Sequence, residues 1–210
     1  MDLSKICIIL DAGHSKNTPG KHSVDKTLYE WKWAREVRDL VITSLSGLYI
    51  DYYDDHPADI TLGGSESADL TQRSKNTNAY IDKKNKENKK CLYISIHVNA
   101  AGNGSTWMNA QGWECYTTPG QNNSDKLAEC MYNSAKKIFK NKKIRTDMSD
   151  GDSDKEANFY VLKKANCPAI LVENFFMDNK DDLAFIKSDQ GKRQCAEVIV
   201  QGILEYCAKY

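Results

Sequence analysis

Apolar residues along this chain fall into two kinds of run, short continuous blocks and longer stretches with helical spacing, which succeed one another. The first block, Ile6 to Leu10, predicts a strand covered on both faces, as in the middle of a parallel sheet. It stops at Asp11-Ala12-Gly13-His14. Ala34, Val37, Val41, Leu45 and Leu48 then recur on one helical face, with Glu30 one turn ahead of Ala34 on that same face. Tyr49 to Tyr53 alternates as a second strand, and Asp54 to Ser67, with Pro57 and Gly63-Gly64, predicts a loop. A helix beginning at or beside Asp69 passes through Leu70, Arg73, Thr77 and Tyr80. Cys91 to Asn99 is another apolar strand, and it too presents a histidine near its end, His97.

After a Gly/Asn-rich loop that holds Trp107, Gly112 to Thr118 predicts a strand, and Leu127, Met131, Ala135 and Ile138 the inner face of a helix. The last third repeats the theme. Phe159 to Leu162 predicts a short strand, Pro168 to Glu173 a buried strand ending on a carboxylate, and Ala196, Ile199, Ile203 and Tyr206 a closing helix.

At 210 residues the chain suits one domain with a core that needs neither disulfides nor a structural metal. Lys plus Arg equals Asp plus Glu at 29 each, so net charge gives no broad attraction to nucleic acid or anionic membrane. The charged run Asp82 to Lys90 mixes signs and lacks aromatics, as a solvated helix end does. Seven cysteines are scattered without a paired short spacing, which fits buried thiols in a chain made under reducing conditions. No signal-like segment precedes the first strand and no run of ~18 apolar residues occurs, so synthesis in the cytoplasm and no transmembrane segment are expected. The acidic stretch DMSDGDSDKE lacks the alternating oxygen ligands and closing Glu of an EF-hand, and predicts a mobile loop.

Ligand crevices in open α/β sheets lie beyond the carboxyl ends of the strands, where His14, His97 and Glu173 all fall. Glu30, on the apolar face of its helix, is there either for the helix amino terminus or for a cation. His14, Glu30 and His97 have the composition of a catalytic zinc site, two imidazoles and one carboxylate with a position left for water. Glu173 then serves as general base, and His22 and His56 are left as loop histidines. Arg73 and Asn99 either line the site for substrate or serve packing and loop hydrogen bonding.

The order DAGH, Glu30 at a helix start, SIHVNA and PAILVENFF resembles the zinc-dependent N-acetylmuramoyl-L-alanine amidases, the family of bacterial cell-separation amidases and many phage endolysins. LTQR, QGWECY, NFYVLKKANCPAILVE, MDNKDD and GILEY match in series, so the similarity covers nearly the whole chain. The resemblance implies an α/β fold, a single domain with a central, mostly parallel twisted sheet flanked by helices on both faces. It implies one Zn²⁺ on His14, Glu30 and His97, Glu173 as the catalytic acid, and hydrolysis of the amide between N-acetylmuramic acid and L-alanine in peptidoglycan. Ser15 stands where the family commonly has Gly, and Asn174 where Gly or Ala is usual, changes that bear on the peptide groove. Pro119 to Ser124 runs straight into the next helix, so the inhibitory helical insertion of separation amidases is not expected. Residues 1–210 are expected to form one catalytic domain without a separate wall-binding domain, with a monomer favoured, acting on the cell wall either as a phage or prophage lysin or as a bacterial amidase brought to the wall by other means. The rivals are a zinc peptidase of related fold that cuts another peptidoglycan amide, and a wall-binding module without turnover.

Overall fold

Strand β1 (Ile6–Ala12) is buried along its whole length, and the computed structural model, which describes residues 2–61 and 64–210, shows why it must be. It lies between β2 (Asp51–Asp54) and β3 (Lys90–Asn99), both parallel to it. The sheet continues through β6 (Ala169–Phe176), β4 (Glu114–Thr117) and β5 (Lys155–Glu156) in the order β2-β1-β3-β6-β4-β5. All pairings are parallel except β4 with β6. Each central strand is walled in by strands at its sides and helices above and below, which explains apolar runs without alternation.

Strand parity separates two cores. Ile6, Ile8, Leu10, Leu92, Ile94, Ile96, Ile170 and Val172 face the larger one, under α1 (Glu30–Gly47), α3 (Asn123–Ile138), α5 (Lys180–Lys187) and α6 (Asp189–Lys209). Cys7, Ile9, Cys91, Tyr93 and Leu171 face the smaller, under α2 (Glu66–Lys86) and α4 (Tyr160–Lys164). Local chemistry starts these helices where they start. Ser65 caps α2 by accepting from Ala68 N, Asn122 and Asp125 form a capping box on α3, and Ser188 caps α6 by accepting from Gly191 N. Trp33 of α1 donates its indole N–H to Ile186 O at 2.7 Å, tying the first helix to α5.

The architecture is the expected single α/β domain, and the departures are local. Phe159 to Leu162 is not a strand: Phe159 precedes the short helix α4, whose Leu162 enters the smaller core. Strand β6 is already paired on both edges, by β3 and β4, so its ladder has no place for another strand there. Leu48 falls past the end of α1 and is 37% exposed. Helix α2 begins at Glu66 and buries Asp69, Arg73, Thr77 and Ile81, a largely polar face. Leu62 and Gly63 of the expected Asp54–Ser67 loop lie outside the described residues. All seven cysteines are free thiols, six of them buried. Among the described residues no helix is long and apolar enough to cross a membrane.

The acidic stretch is partly folded in, because it ends on β5 and buries Asp154 to 3% exposure. Burial, with Asp152 and Asp125 beside it, pushes Asp154 up to about 7 although Thr117 Oγ1 donates to it at 2.6 Å. An unfolded aspartate titrates near ~3.9, so the native residue holds its proton more tightly. Its contribution to stability is therefore full below that unfolded value and lost as pH rises through about 7. Denaturant titrations between about pH 4 and about pH 8 should show Asp154→Asn flattening the decline seen in the parent protein. An unchanged slope would remove Asp154 as its source.

Candidate active site

Register does most of the assembly. In the β3–β6 ladder His97 is paired with Glu173, and in the β1–β3 ladder Asp11 is paired with Ser95. Parity puts all four on the α2/α4 side of the sheet at its carboxyl edge. His14 follows two residues after β1 ends, and Glu30 enters from the first position of α1. Glu30 Oε1 lies 3.0 Å from His97 Nδ1 and its Oε2 3.5 Å from His14 Nε2. The imidazoles meet edge to face with centroids 5.0 Å apart.

One donor atom from each of His14, Glu30 and His97 falls within 4.8 Å of the other two, so this set could hold a metal ion. Two imidazoles and one carboxylate suit a zinc-like cation with a coordination position to spare. The Glu30 carboxylate turns toward β3. Its Oε1 accepts from His97 Nδ1 and from Val98 N, both on β3, rather than from the amides of its own helix.

The loop carrying His14 is held under strain. His14 has φ +59°, the left-handed region that non-glycine residues enter at a cost. Three bonds keep it there. Arg35 Nη1 donates to His14 O at 3.1 Å, Thr18 Oγ1 accepts from Ser15 N at 3.1 Å, and Ser15 Oγ lies 3.1 Å from His56 Nε2. His56 Nδ1 faces the carbonyl of Ala12 at 3.1 Å, so Nδ1 carries the proton and Nε2 accepts from the serine hydroxyl. His56, expected as a loop histidine, is 1% exposed and braces the two segments flanking the site.

Burial would lower the basicity of His97, yet the Glu30 carboxylate raises it to about 9. Burial and the nearby His97 take His14 down to about 4 against the pull of Glu30. Burial, with Glu30 and Glu114 close by, pushes Glu173 up to about 8. That lies near the range where a carboxyl can both take and release a proton at neutral pH. Glu173 Oε2 is buried and, among the described residues, has no hydrogen-bond partner.

Arg73 and Asn99 both line cavities at this edge, and both are also committed to protein groups. Arg73 is 5% exposed and bonds Asp69 at 2.8 Å, Asp11 at 2.7 Å and Asp55 at 3.3 Å. Asn99 Nδ2 donates to Glu114 at 2.6 Å and its Oδ1 accepts from Ala100 N. Sequence reasoning passed over Glu114, which pairs with Glu173 in the β4–β6 ladder and makes ion pairs with Arg145 and Lys155. A carboxylate inside the apolar run QGWECY was the signal, the same one that singled out Glu30. Two cavities, of about 230 and about 290 Å³, meet at His14, His97 and Glu173.

The family profile described as N-acetylmuramoyl-L-alanine amidase matches residues 8–205. The endolysin of Bacillus phage SPP1 is 31% identical over 130 residues, 60% of this chain and 44% of that protein. The N-acetylmuramoyl-L-alanine amidase LytC of Bacillus subtilis (strain 168) is 32% identical over 118 residues, 55% of this chain and 21% of that protein. The chain thus spans less than half the length of these curated relatives. The crystal structure of N-acetylmuramoyl-L-alanine amidase from Clostridium difficile 630 superimposes with a TM-score of 0.78 at 25% identity, covering 98% of each chain.

Gly13 is required by this packing. A Cβ there would stand 2.3 to 2.6 Å from the His97 ring. Gly13→Ala should therefore displace that imidazole and weaken metal binding about 10–100-fold, as loss of a supporting contact does. Metal titration of a variant whose circular dichroism is unchanged checks this, and unaltered affinity would contradict it.

Proposed function

The chain belongs to the N-acetylmuramoyl-L-alanine amidase family, and from that premise we propose that it is a zinc-dependent hydrolase of the amide between N-acetylmuramic acid and L-alanine in peptidoglycan. The observation that carries this reading is the convergence of His14, Glu30 and His97 beside Glu173, across one ladder rung from His97.

In this reading His14, Glu30 and His97 hold one Zn²⁺, for which their donor set is suited. Bound there, zinc supplies Lewis-acid activation of a water and of the scissile carbonyl. Glu173 manages the proton. Its Oε2, without a hydrogen-bond partner among the described residues, is available to accept the proton of the attacking water, and its raised basicity lets it retain that proton until the leaving nitrogen of L-alanine takes it. Glu114 adds to that basicity from the adjacent strand. Arg73 and Asn99 act by bracing: Arg73 fixes Asp11, whose charge favours the protonated or metal-bearing state of both histidines.

The substrate is cell-wall peptidoglycan, met at the wall, and the likeness to a phage endolysin supports a lytic role.

Glu173→Gln and His97→Ala separate the roles. The Gln variant should keep its zinc and release peptides from purified peptidoglycan about 10²–10⁴-fold more slowly. The Ala variant should lose metal and activity together. Near-normal release by Glu173→Gln would contradict the assigned proton carrier, and peptides lacking an L-alanine amino terminus would contradict the assigned bond.

A further inference from the structure

Lys21 is a cation at this site whose ammonium has no ion-pair partner among the described residues. Its backbone carbonyl accepts from Glu30 N at 3.0 Å, which anchors it beside the metal-ligand set. The residue lines both cavities that meet there. Arg73, which also lines the first cavity, is held by three carboxylates. Among the described residues Lys21 has no carboxylate oxygen within ion-pair distance, whereas Lys155, on the far side of Glu173, is paired with Glu114 at 2.8 Å. The charge of Lys21 nevertheless acts on both His14 and Glu173. A half-buried, uncommitted ammonium within reach of the reacting groups is placed to meet an anion brought by the substrate.

The linings of the two cavities differ. One is walled by Leu70, Phe159, Tyr160, Val161 and Leu171, surfaces that suit a peptide. The other is lined by Gly20, Gly102, Asn99 and Asn103, groups that suit the hydroxyls and amides of a sugar. In a stem peptide, L-alanine is followed by D-glutamate joined onward through its γ-carboxyl. The α-carboxyl of that residue is therefore left either free or amidated. It sits one residue past the cut, and successive Cα atoms are about 3.8 Å apart, so it falls within a lysine's reach of the scissile amide.

Resting on the amidase reading, we infer that Lys21 binds the free α-carboxylate of the second stem-peptide residue and so selects unamidated over amidated stems. This residue positions substrate and takes no proton in the reaction.

The test uses product peptides, which cannot be cut again: L-Ala-γ-D-Glu-L-Lys and its α-amide, titrated calorimetrically into the zinc-loaded protein. The parent protein should bind the carboxylate form about tenfold more tightly, the scale of a charge-assisted hydrogen bond. Lys21→Met should abolish the difference with metal content unchanged, and Lys21→Arg should keep most of it. Equal affinities in the parent protein, a preference that survives in Lys21→Met, or no binding of either peptide would overturn the inference. Because no bond is cut, failure to digest peptidoglycan would count against the amidase reading alone and leave this result interpretable.

Discussion

The parallel register of β1, β3 and β6 is the constraint on which everything else depends. A strand reverses its faces at every residue, so a one-residue slip of β6 against β3 would send Glu173 into the larger core and Val172 into the site. The register is fixed by packing on both faces, with Ile94, Ile96, Ile170 and Val172 in the larger core and Tyr93 and Leu171 in the smaller. The apolar core thus specifies which polar residues stand at the carboxyl edge. The site's chemistry is inherited from that alignment.

A second layer of polar structure lies under the site and gives it its field. Arg73 is surrounded by Asp11, Asp55 and Asp69, three carboxylates to one guanidinium, all buried. Burial together with Asp11 pushes Asp55 up to about 6, while Arg73 and Ser95 hold Asp11 well below the usual carboxylate range. Breaking such a cluster by removing its cation would leave uncompensated buried charge, which typically costs about 3–5 kcal/mol. Its residual negative potential reaches His97 and His14 and favours a cation between them. The cluster therefore links stability of the smaller core to the binding capacity of the site above it.

What was legible in the sequence follows from what repeats. The buried strands and the long helices announce themselves by period, and the three polar residues at strand ends were visible as interruptions of apolar runs: His14, His97 and Glu173. Glu30 was visible as a charge on an apolar helix face. Phe159–Lys164 carries too few residues to display a period, and its helical state is decided by the paired edges of β6, which no local reading contains. The partners of Arg73 were equally hidden, since Asp11 is 62 residues away and Asp55 is 18. His56 looked like a loop residue because the atoms that bury it, Ser15 Oγ and Ala12 O, belong to a strand end more than 40 residues earlier.

One measurement bears on the central claim most directly: mass analysis of the soluble products from purified peptidoglycan, with zinc content determined on the same sample before and after chelation. The account predicts about one zinc per chain and release of peptides beginning in L-alanine, with the glycan uncut, both lost to the chelator and restored by zinc. Release that continues undiminished in the metal-free protein would contradict it.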